Sequence, residues 1–187
     1  EAHQKQLEHI AHFDLLTGLP NRVLLADRLQ QALAQAVRRR TLLAVAYLDL
    51  DGFKEVNDRY GHDVGDHLLT ALSAHMKRAL REGDTLARIG GDEFVAVLLD
   101  LPAVESAVPM LSRLLAAASQ VVYHGGEALR VSASVGVTYF PQAEAMEADQ
   151  LLRQADQAMY QAKQMGKNRY HIFDAEHDRN VRGHHED

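Results

Sequence analysis

The sequence contains no cysteine, no excess of basic residues and no long apolar run. Without cysteine, a disulfide framework and a thiolate metal site are both excluded. No apolar stretch approaches the roughly 20 residues that a membrane-spanning helix needs, and no secretory signal opens the sequence. The 20 Lys and Arg residues are outnumbered by 26 Asp and Glu, which gives a net charge of −6. A global basic field is therefore absent, and we expect no nucleic-acid partner.

What is present suits one folded domain with short extensions. The 187 residues are 47% hydrophobic, which is enough for a core. Residues 1–13 predict a polar signalling or linker helix, residues 14–173 the domain, and residues 174–187 a charged C-terminal linker or tail. The sequence begins with Glu1 rather than Met, so we expect a piece of a longer protein. The 11 histidines are scattered and show no HExxH-like spacing.

Hydrophobic spacing predicts alternating helices and strands. Leu25, Leu29 and Leu33 recur at helical spacing over residues 22–39, with Asn21 as the N-cap. The apolar run over residues 42–48 predicts a buried central strand. Alternation from Leu129 to residue 137 predicts another strand. The full order is helix, strand, helix, hairpin, helix, strand, helix, strand. We therefore predict an α/β fold with a central mixed, largely antiparallel sheet flanked by helices.

The most informative segment covers residues 88–94, which read Arg-Ile-Gly-Gly-Asp-Glu-Phe between two short apolar stretches. This pattern predicts a strand, a tight turn and a second strand. Glycine permits backbone conformations and close approaches that a side chain would block. The adjacent acids Asp92 and Glu93 stand where they can bind a metal rather than pack in a core. Such a turn suits a ligand that carries phosphate and Mg²⁺.

A third carboxylate, Asp49, ends the predicted buried strand. If that strand neighbours the hairpin, Asp49, Asp92 and Glu93 converge at one edge of the sheet. Crowded carboxylates raise one another's pKa, whereas Mg²⁺ relieves their repulsion and prefers oxygen ligands. Convergent acids with Mg²⁺ indicate phosphoryl or nucleotidyl transfer. Asp49 alone would be better explained as an ordinary turn residue, but the two acids beside two glycines favour the metal.

Five motifs, in order, resemble those of GGDEF domains of diguanylate cyclases. They are DLLTGLPNR (residues 14–22), DLDGFKEVNDRYGHDVGD (49–66), RIGGDEF (88–94), SVGVT (134–138) and ADQAMYQAKQMGKNRY (155–170). The resemblance implies a palm-like fold related to nucleotide cyclases. It also implies condensation of two GTP molecules into cyclic di-GMP and pyrophosphate. Two domains would face each other head to tail as a homodimer, and the 3′-hydroxyl of one GTP would attack the α-phosphate of the other.

The resemblance implies roles for individual acids and one arginine. Asp49, the Leu50 carbonyl and Asp92 match metal ligands, for Mg²⁺ or alternatively Mn²⁺. Glu93 matches a second-metal ligand or a group that helps deprotonate the attacking hydroxyl. Arg88 matches a residue that orients the acids or meets charge in the transition state. The alternative for Arg88 is an ordinary surface arginine on a strand.

Substrate-binding positions follow from the same resemblance. Asn57 and Asp66 stand at the guanine-recognition positions, where a carboxylate accepts from guanine N1–H and N2–H, a pair of donors that adenine lacks. Asp66 is alternatively a helix N-cap. Lys167 stands where the family often has arginine, so it keeps the charge without the bidentate fork. The alternative for the lysines is solvated surface residues. The triphosphate positions comprise the backbone around Phe53 and the side chains of Lys54, Lys163 and Lys167.

Arg81 and Asp84 precede the hairpin at the spacing of the family's inhibitory RxxD site, where cyclic di-GMP binds and limits turnover. Arginine suits phosphate and guanine edges, and a carboxylate suits guanine N–H groups. Arg113, on the following predicted helix, is either a second contact or a surface arginine. The resemblance therefore implies product inhibition.

The leading interpretation is an active diguanylate cyclase. The alternative is a catalytically weak GTP- or cyclic-di-GMP-binding module that regulates a neighbouring phosphodiesterase (EAL) domain. The tail over residues 173–187 resembles the linker into such a domain. A pure dimerisation scaffold does not explain the acids. We expect an upstream sensor domain, a downstream EAL domain and a cytoplasmic location, with membrane attachment of the full-length protein left open.

Overall fold

A computed structural model describes residues 2–175, so the predicted tail lies outside the described residues except for its first two positions. The helices are α1 (Ala2–His12), α2 (Arg22–Arg39), α3 (Phe53–Tyr60), α4 (His62–Ala79), α5 (Val108–Ala118) and α6 (Ala148–Gln164). The strands are β1 (Leu42–Asp51), β2 (Thr85–Gly90), β3 (Glu93–Leu101), β4 (Val122–His124), β5 (Glu127–Leu129), β6 (Ser132–Phe140) and β7 (Arg169–Ile172). None of the helices between residues 2 and 175 is long and apolar enough to cross a bilayer.

The main sheet has the strand order β2-β3-β1-β6-β7, and only β6 and β7 run parallel to each other. The predicted mixed, largely antiparallel sheet is therefore confirmed. Side chains alternate between the two faces of a strand, so buried β1 contributes to two cores. One core packs against α3, α4 and α5, and the other packs against α2 and α6. The β4–β5 pair forms a separate small hairpin.

Helix α6 lies directly against β6, because Gly136 has no side chain to separate them. A Cβ at Gly136 would lie 2.0 Å from the Met159 amide nitrogen and 2.1 Å from the Ala155 carbonyl oxygen. This backbone contact fixes α6 on the sheet. With α6 in this position, the Lys163 ammonium near the end of the helix lies beside Asp49 on β1.

The helix over residues 22–39 has the predicted bounds, and the Asn21 side chain accepts a hydrogen bond from the Leu24 amide at 3.1 Å. Helix α3 was not predicted. It begins after Gly52, which has φ +87° and offers no side-chain cap, so the sequence carries no start signal there. The predicted strand start at Leu129 is wrong, because Leu129 pairs with Val122 in the small hairpin.

Candidate active site

The candidate site lies where β1 ends beside the turn between β2 and β3. Asp49 pairs in register with Glu93, and the Leu50 amide donates to the Asp92 carbonyl at 3.1 Å. The strand adjacency required for a convergent site is therefore present. Leu50, whose carbonyl matches a metal ligand, lies in the same stretch of β1.

Arg88 holds the turn in place. Its Nε donates to the Gly91 carbonyl at 2.8 Å, and its Nη1 donates to both carboxylate oxygens of Asp14, at 3.0 and 3.1 Å. Gly91 has φ +49°, a conformation in which most other residues are strained. Only 15% of the Arg88 side chain is exposed, so it is not an ordinary surface arginine.

Asp14 was not among the predicted site residues, although it begins the first of the five motifs. Burial alone would raise the pKa of its carboxyl. Hydrogen bonds from Thr17 and the charge of Arg88 outweigh burial and hold that pKa below its ordinary value. Asp14 is therefore an ionised partner for Arg88 at neutral pH.

Asp49 and Asp92 form the acidic part of the site. Asp49 is buried, and its Oδ1 has no hydrogen-bond partner among residues 2–175. Burial raises the pKa of the Asp92 carboxyl to about 7, with the nearby Asp49 carboxylate as the second cause. A buried carboxylate oxygen without a donor and a crowded acid pair are stabilised by a cation. These residues therefore fit Mg²⁺.

Glu93 is directed toward a tyrosine. The Tyr47 hydroxyl donates to Glu93 Oε1 at 2.9 Å. Burial, followed by the Glu93 charge, raises the pKa of Tyr47 above its ordinary value. Tyr47 was not predicted as a site residue, although it is the only hydroxyl-bearing residue in the apolar run 42–48.

Asp49, Asp92 and Glu93 lie at one edge of the sheet, because Asp49 pairs in register with Glu93 and the Leu50 amide donates to the Asp92 carbonyl. Their side chains, however, have different partners. Within the described part of the chain, no three His, Asp or Glu side chains form a group that could hold a metal ion. Glu93 contacts Tyr47, and Asp49 Oδ2 lies 3.1 Å from the Lys163 ammonium. The acidic pair thus consists of Asp49 and Asp92, with Glu93 beside it.

Asp51 is a second carboxylate that the motif assignment missed, although it lies two residues after Asp49. It accepts hydrogen bonds from Ser132 Oγ at 2.9 Å, Ser134 Oγ at 2.8 and 3.0 Å, and the Asn168 amide at 3.3 Å. Lys163 Nζ donates to Asp51 Oδ1 at 3.1 Å. Burial by itself would lower the pKa of the Lys163 ammonium. The neighbouring Asp49 and Asp51 carboxylates outweigh this effect and raise that pKa above its ordinary value.

The predicted guanine-recognition residues, Asn57 and Asp66, lie on the adjacent helices α3 and α4. A Cβ at Gly65 of α4 would lie 1.8 Å from Asn57 Oδ1 on α3, so this glycine makes room for the Asn57 side chain. Asp66 is exposed and lies one turn inside α4, whose N-cap is Gly61. The N-cap interpretation of Asp66 is therefore wrong, and its carboxylate does not cap the helix.

The phosphate-binding candidates occupy different environments. Phe53 is buried at the start of α3, and Lys54 next to it is exposed. Helix α6 ends before Lys167, which lies in a left-handed turn with φ +64° and is exposed. Lys163 and Lys167 therefore do not share a helix face. Lys163 alone reaches the carboxylates.

The predicted inhibitory residues form a closed local structure. Arg81 binds Asp84 through Nε and Nη2, each at 3.1 Å, and Asp84 also accepts from the Leu99 amide at 3.0 Å. The Asp84 side chain is 1% exposed, whereas that of Arg81 is 47% exposed. Arg113 donates to the Ala79 carbonyl at 3.4 Å and lines a different groove from Arg81.

Sequence comparison places this site in a known family. Residues 11–169 match the family described as "Diguanylate cyclase, GGDEF domain". The bifunctional diguanylate cyclase/cyclic di-GMP phosphodiesterase MucR of Pseudomonas aeruginosa is 41% identical over 177 residues, which are 95% of this chain and 26% of MucR. Diguanylate cyclase DgcP of the same species is 41% identical over 172 residues, 91% of this chain and 25% of DgcP. The chain thus spans about a quarter of each relative.

Solved structures share the fold. The GGDEF domain of TpbB (YfiN) from Pseudomonas aeruginosa superposes with a TM-score of 0.85 at 35% identity, covering 91% of this chain and 98% of that one. The coiled coil and GGDEF domain of DgcB from Caulobacter crescentus, in complex with c-di-GMP, gives a TM-score of 0.79 at 27% identity, covering 91% and 90%.

Proposed function

Because this chain belongs to the GGDEF domain family of diguanylate cyclases, we propose that it condenses two GTP molecules into cyclic di-GMP and pyrophosphate. Relatives named diguanylate cyclase, including DgcP and TpbB of Pseudomonas aeruginosa, support this activity. The observation that carries the proposal is the acidic pair beside the glycine turn. Asp49 offers a buried oxygen without a partner, and Asp92 has a raised pKa next to it.

The metal is Mg²⁺, with Mn²⁺ as the alternative, and Asp49, Asp92 and the Leu50 carbonyl would hold it. Bound there, it supplies positive charge that neutralises phosphate and favours departure of pyrophosphate. Glu93, oriented by the Tyr47 hydroxyl at 2.9 Å, lies beside this pair. It either binds a second metal or accepts the proton of the attacking 3′-hydroxyl.

The remaining residues bind and orient GTP. Asp66 and Asn57 accept from and donate to the guanine edge, which selects guanine over adenine because a mismatched base leaves polar groups unpaired. The backbone at Phe53 begins α3, whose free amides suit a phosphate. Arg88 keeps the turn in its left-handed conformation. The lysines that would neutralise the triphosphate are Lys54, Lys163 and Lys167.

The reaction requires two copies, because each domain holds one GTP and the product contains two nucleotides. The proposal therefore includes a head-to-tail homodimer, with residues 1–13 as a signalling helix, residues 14–173 as the catalytic domain and residues 174–187 as a linker. It also includes an upstream sensor, a downstream EAL domain, a cytoplasmic location, and inhibition by cyclic di-GMP through Arg81.

A second function is favoured by two relatives. MucR is named a bifunctional cyclase and phosphodiesterase, and NbdA of Pseudomonas aeruginosa, 38% identical over 167 residues, is named a cyclic di-GMP phosphodiesterase. In this alternative the domain binds GTP or cyclic di-GMP with little turnover and regulates a neighbouring EAL domain.

Radiolabelled GTP turnover with Mg²⁺, measured on a covalently dimerised form of this chain, separates the two functions. Formation of cyclic di-GMP that is lost in Asp92→Asn supports the cyclase. The matched control is Asp100→Asn, which removes an exposed carboxylate from β3, the strand that follows Asp92. GTP binding without product, in the dimerised form, would instead support the regulatory module.

A further inference from the structure

Lys163 connects two carboxylates that have different surroundings. Its ammonium lies 3.1 Å from Asp49 Oδ2 and 3.1 Å from Asp51 Oδ1, and its side chain is 22% exposed. Asp49 Oδ1 has no partner among the described residues, whereas both oxygens of Asp51 accept several hydrogen bonds. Asp49 is therefore the less satisfied acceptor of the two.

A divalent cation on Asp49 would lie within a few ångströms of this ammonium. Like charges at such separations repel each other even at the effective dielectric of a protein surface. An ammonium has no free lone pair, so Lys163 cannot become a ligand of the cation. A divalent cation on Asp49 Oδ1 and the ammonium on Asp49 Oδ2 therefore weaken each other's binding.

Asp51 is built to keep its position when Lys163 moves. Ser132 and Ser134 on β6 and the Asn168 amide donate to it independently of Lys163. These donors come from a central strand and from the segment that follows α6. When the Lys163 ammonium leaves Asp49, its flexible side chain can therefore still reach the carboxylate of Asp51.

We infer that Lys163 competes with the divalent cation for Asp49, and that Asp51 is a positioning residue that draws Lys163 away from Asp49. The inference rests on the proposed metal site at Asp49. Its consequence is that Lys163 weakens binding of the metal alone. If Lys163 only contacted phosphate, its removal would change metal binding no more than the loss of any other positive charge.

Direct titration of the protein with Mn²⁺, followed by electron paramagnetic resonance without nucleotide, tests this competition. Lys163→Met is expected to raise Mn²⁺ affinity about tenfold, because it removes a competing cation at contact distance. Lys77→Met is the matched control, since it removes the same charge from an exposed lysine on α4. That variant is expected to change the affinity less than about twofold, because exposed charges are screened.

The role of Asp51 is tested in two backgrounds. Asp51→Asn is expected to lower Mn²⁺ affinity about fivefold when Lys163 is present, because the ammonium then rests on Asp49 alone. In the Lys163→Met background the same substitution is expected to change affinity less than about twofold, because only longer-range charge is lost. A merely structural or general electrostatic role of Asp51 would give equal effects in both backgrounds.

Each outcome is decisive. Equal Mn²⁺ affinities of Lys163→Met and Lys77→Met, with binding lost in Asp49→Asn, overturn the inference and leave the metal site intact. Binding that survives Asp49→Asn overturns the metal site together with the inference. The comparison of the two lysine variants does not require Asp51→Asn to fold.

Discussion

Arg88 and Asp14 form a two-point contact, with Arg88 Nη1 3.0 Å from Asp14 Oδ1 and 3.1 Å from Asp14 Oδ2. The Arg88 amide also donates to the Pro20 carbonyl at 3.0 Å. The segment that follows α1 is therefore tied directly to the turn that carries Asp92 and Glu93.

The Asp14–Arg88 pair is expected to couple by about 1–3 kcal/mol in a double-mutant cycle, because both side chains are largely buried and a partner left alone is an unpaired charge. Urea unfolding of Asp14→Asn, Arg88→Ala and the double variant measures the coupling. The exposed Arg39–Asp100 pair, also at 3.0 Å, serves as control. It is expected to couple by less than about 1 kcal/mol. Equal coupling in the two pairs would contradict the claim that Arg88 anchors the turn.

Asp92 is expected to make stability depend on pH. Its folded-state pKa of about 7 lies above the ordinary value of 3.8. At pH values between the two pKa values, unfolding therefore releases a proton. The free energy of unfolding consequently falls as pH rises from about 4 to about 7. Thermal unfolding in buffer with a metal chelator measures the slope.

Asp92→Asn is the matched variant, because it keeps the shape of the side chain without its titration. It is expected to flatten the dependence between about pH 4 and pH 7, and to be more stable than the parent at pH 7. Addition of Mg²⁺ is expected to stabilise the parent more at pH 7 than at pH 5, since the cation favours the ionised acid. An unchanged slope in Asp92→Asn would assign the pH dependence to other groups.

Gly65→Ala is expected to displace Asn57 without unfolding the domain. The added Cβ would lie 1.8 Å from Asn57 Oδ1, the far end of a side chain that can rotate away. Alanine also favours a helix interior over glycine by about 1 kcal/mol. We therefore expect a change in the free energy of unfolding within about 1 kcal/mol, and at least a tenfold loss in affinity for a non-hydrolysable GTP analogue.

Calorimetry with that analogue and urea unfolding provide the two measurements for Gly65→Ala. Gly83→Ala is the control, because a Cβ there meets nothing within 4 Å. It is expected to leave both quantities near those of the parent. Full nucleotide affinity in Gly65→Ala would remove Asn57 from the guanine site.

Arg81→Ala is expected to raise the concentration of cyclic di-GMP for half-inhibition at least tenfold, because the half-exposed guanidinium is the accessible charge of the motif. Asp84 is expected to act mainly by holding this loop, since its carboxylate is buried against Arg81 and the Leu99 amide. Arg38→Ala, which removes an exposed arginine from α2, is the control. The measurement is the inhibition of the covalently dimerised form by increasing cyclic di-GMP. Coinciding inhibition curves for Arg81→Ala and the parent would place the inhibitory site elsewhere.

Local signals in the amino-acid sequence are sufficient to predict several elements of the fold. Helix α2 follows from its leucine spacing and the Asn21 cap, and β1 follows from an unbroken apolar run. The turn at Gly90 and Gly91 follows from residue types that tolerate its backbone. The motifs also identified the family. Where local signals were weak, as at α3 with its uncapped glycine start, the prediction failed.

Which charged groups meet depends on how distant elements pack against one another in the folded domain. Lys163 reaches Asp49 and Asp51 across more than 100 positions of sequence, because Gly136 allows α6 to lie directly on β6. Tyr47 and Glu93 meet because β1 and β3 are paired in one register. Residue types and spacing cannot specify such contacts, since they arise from the packing of elements that are distant in the chain.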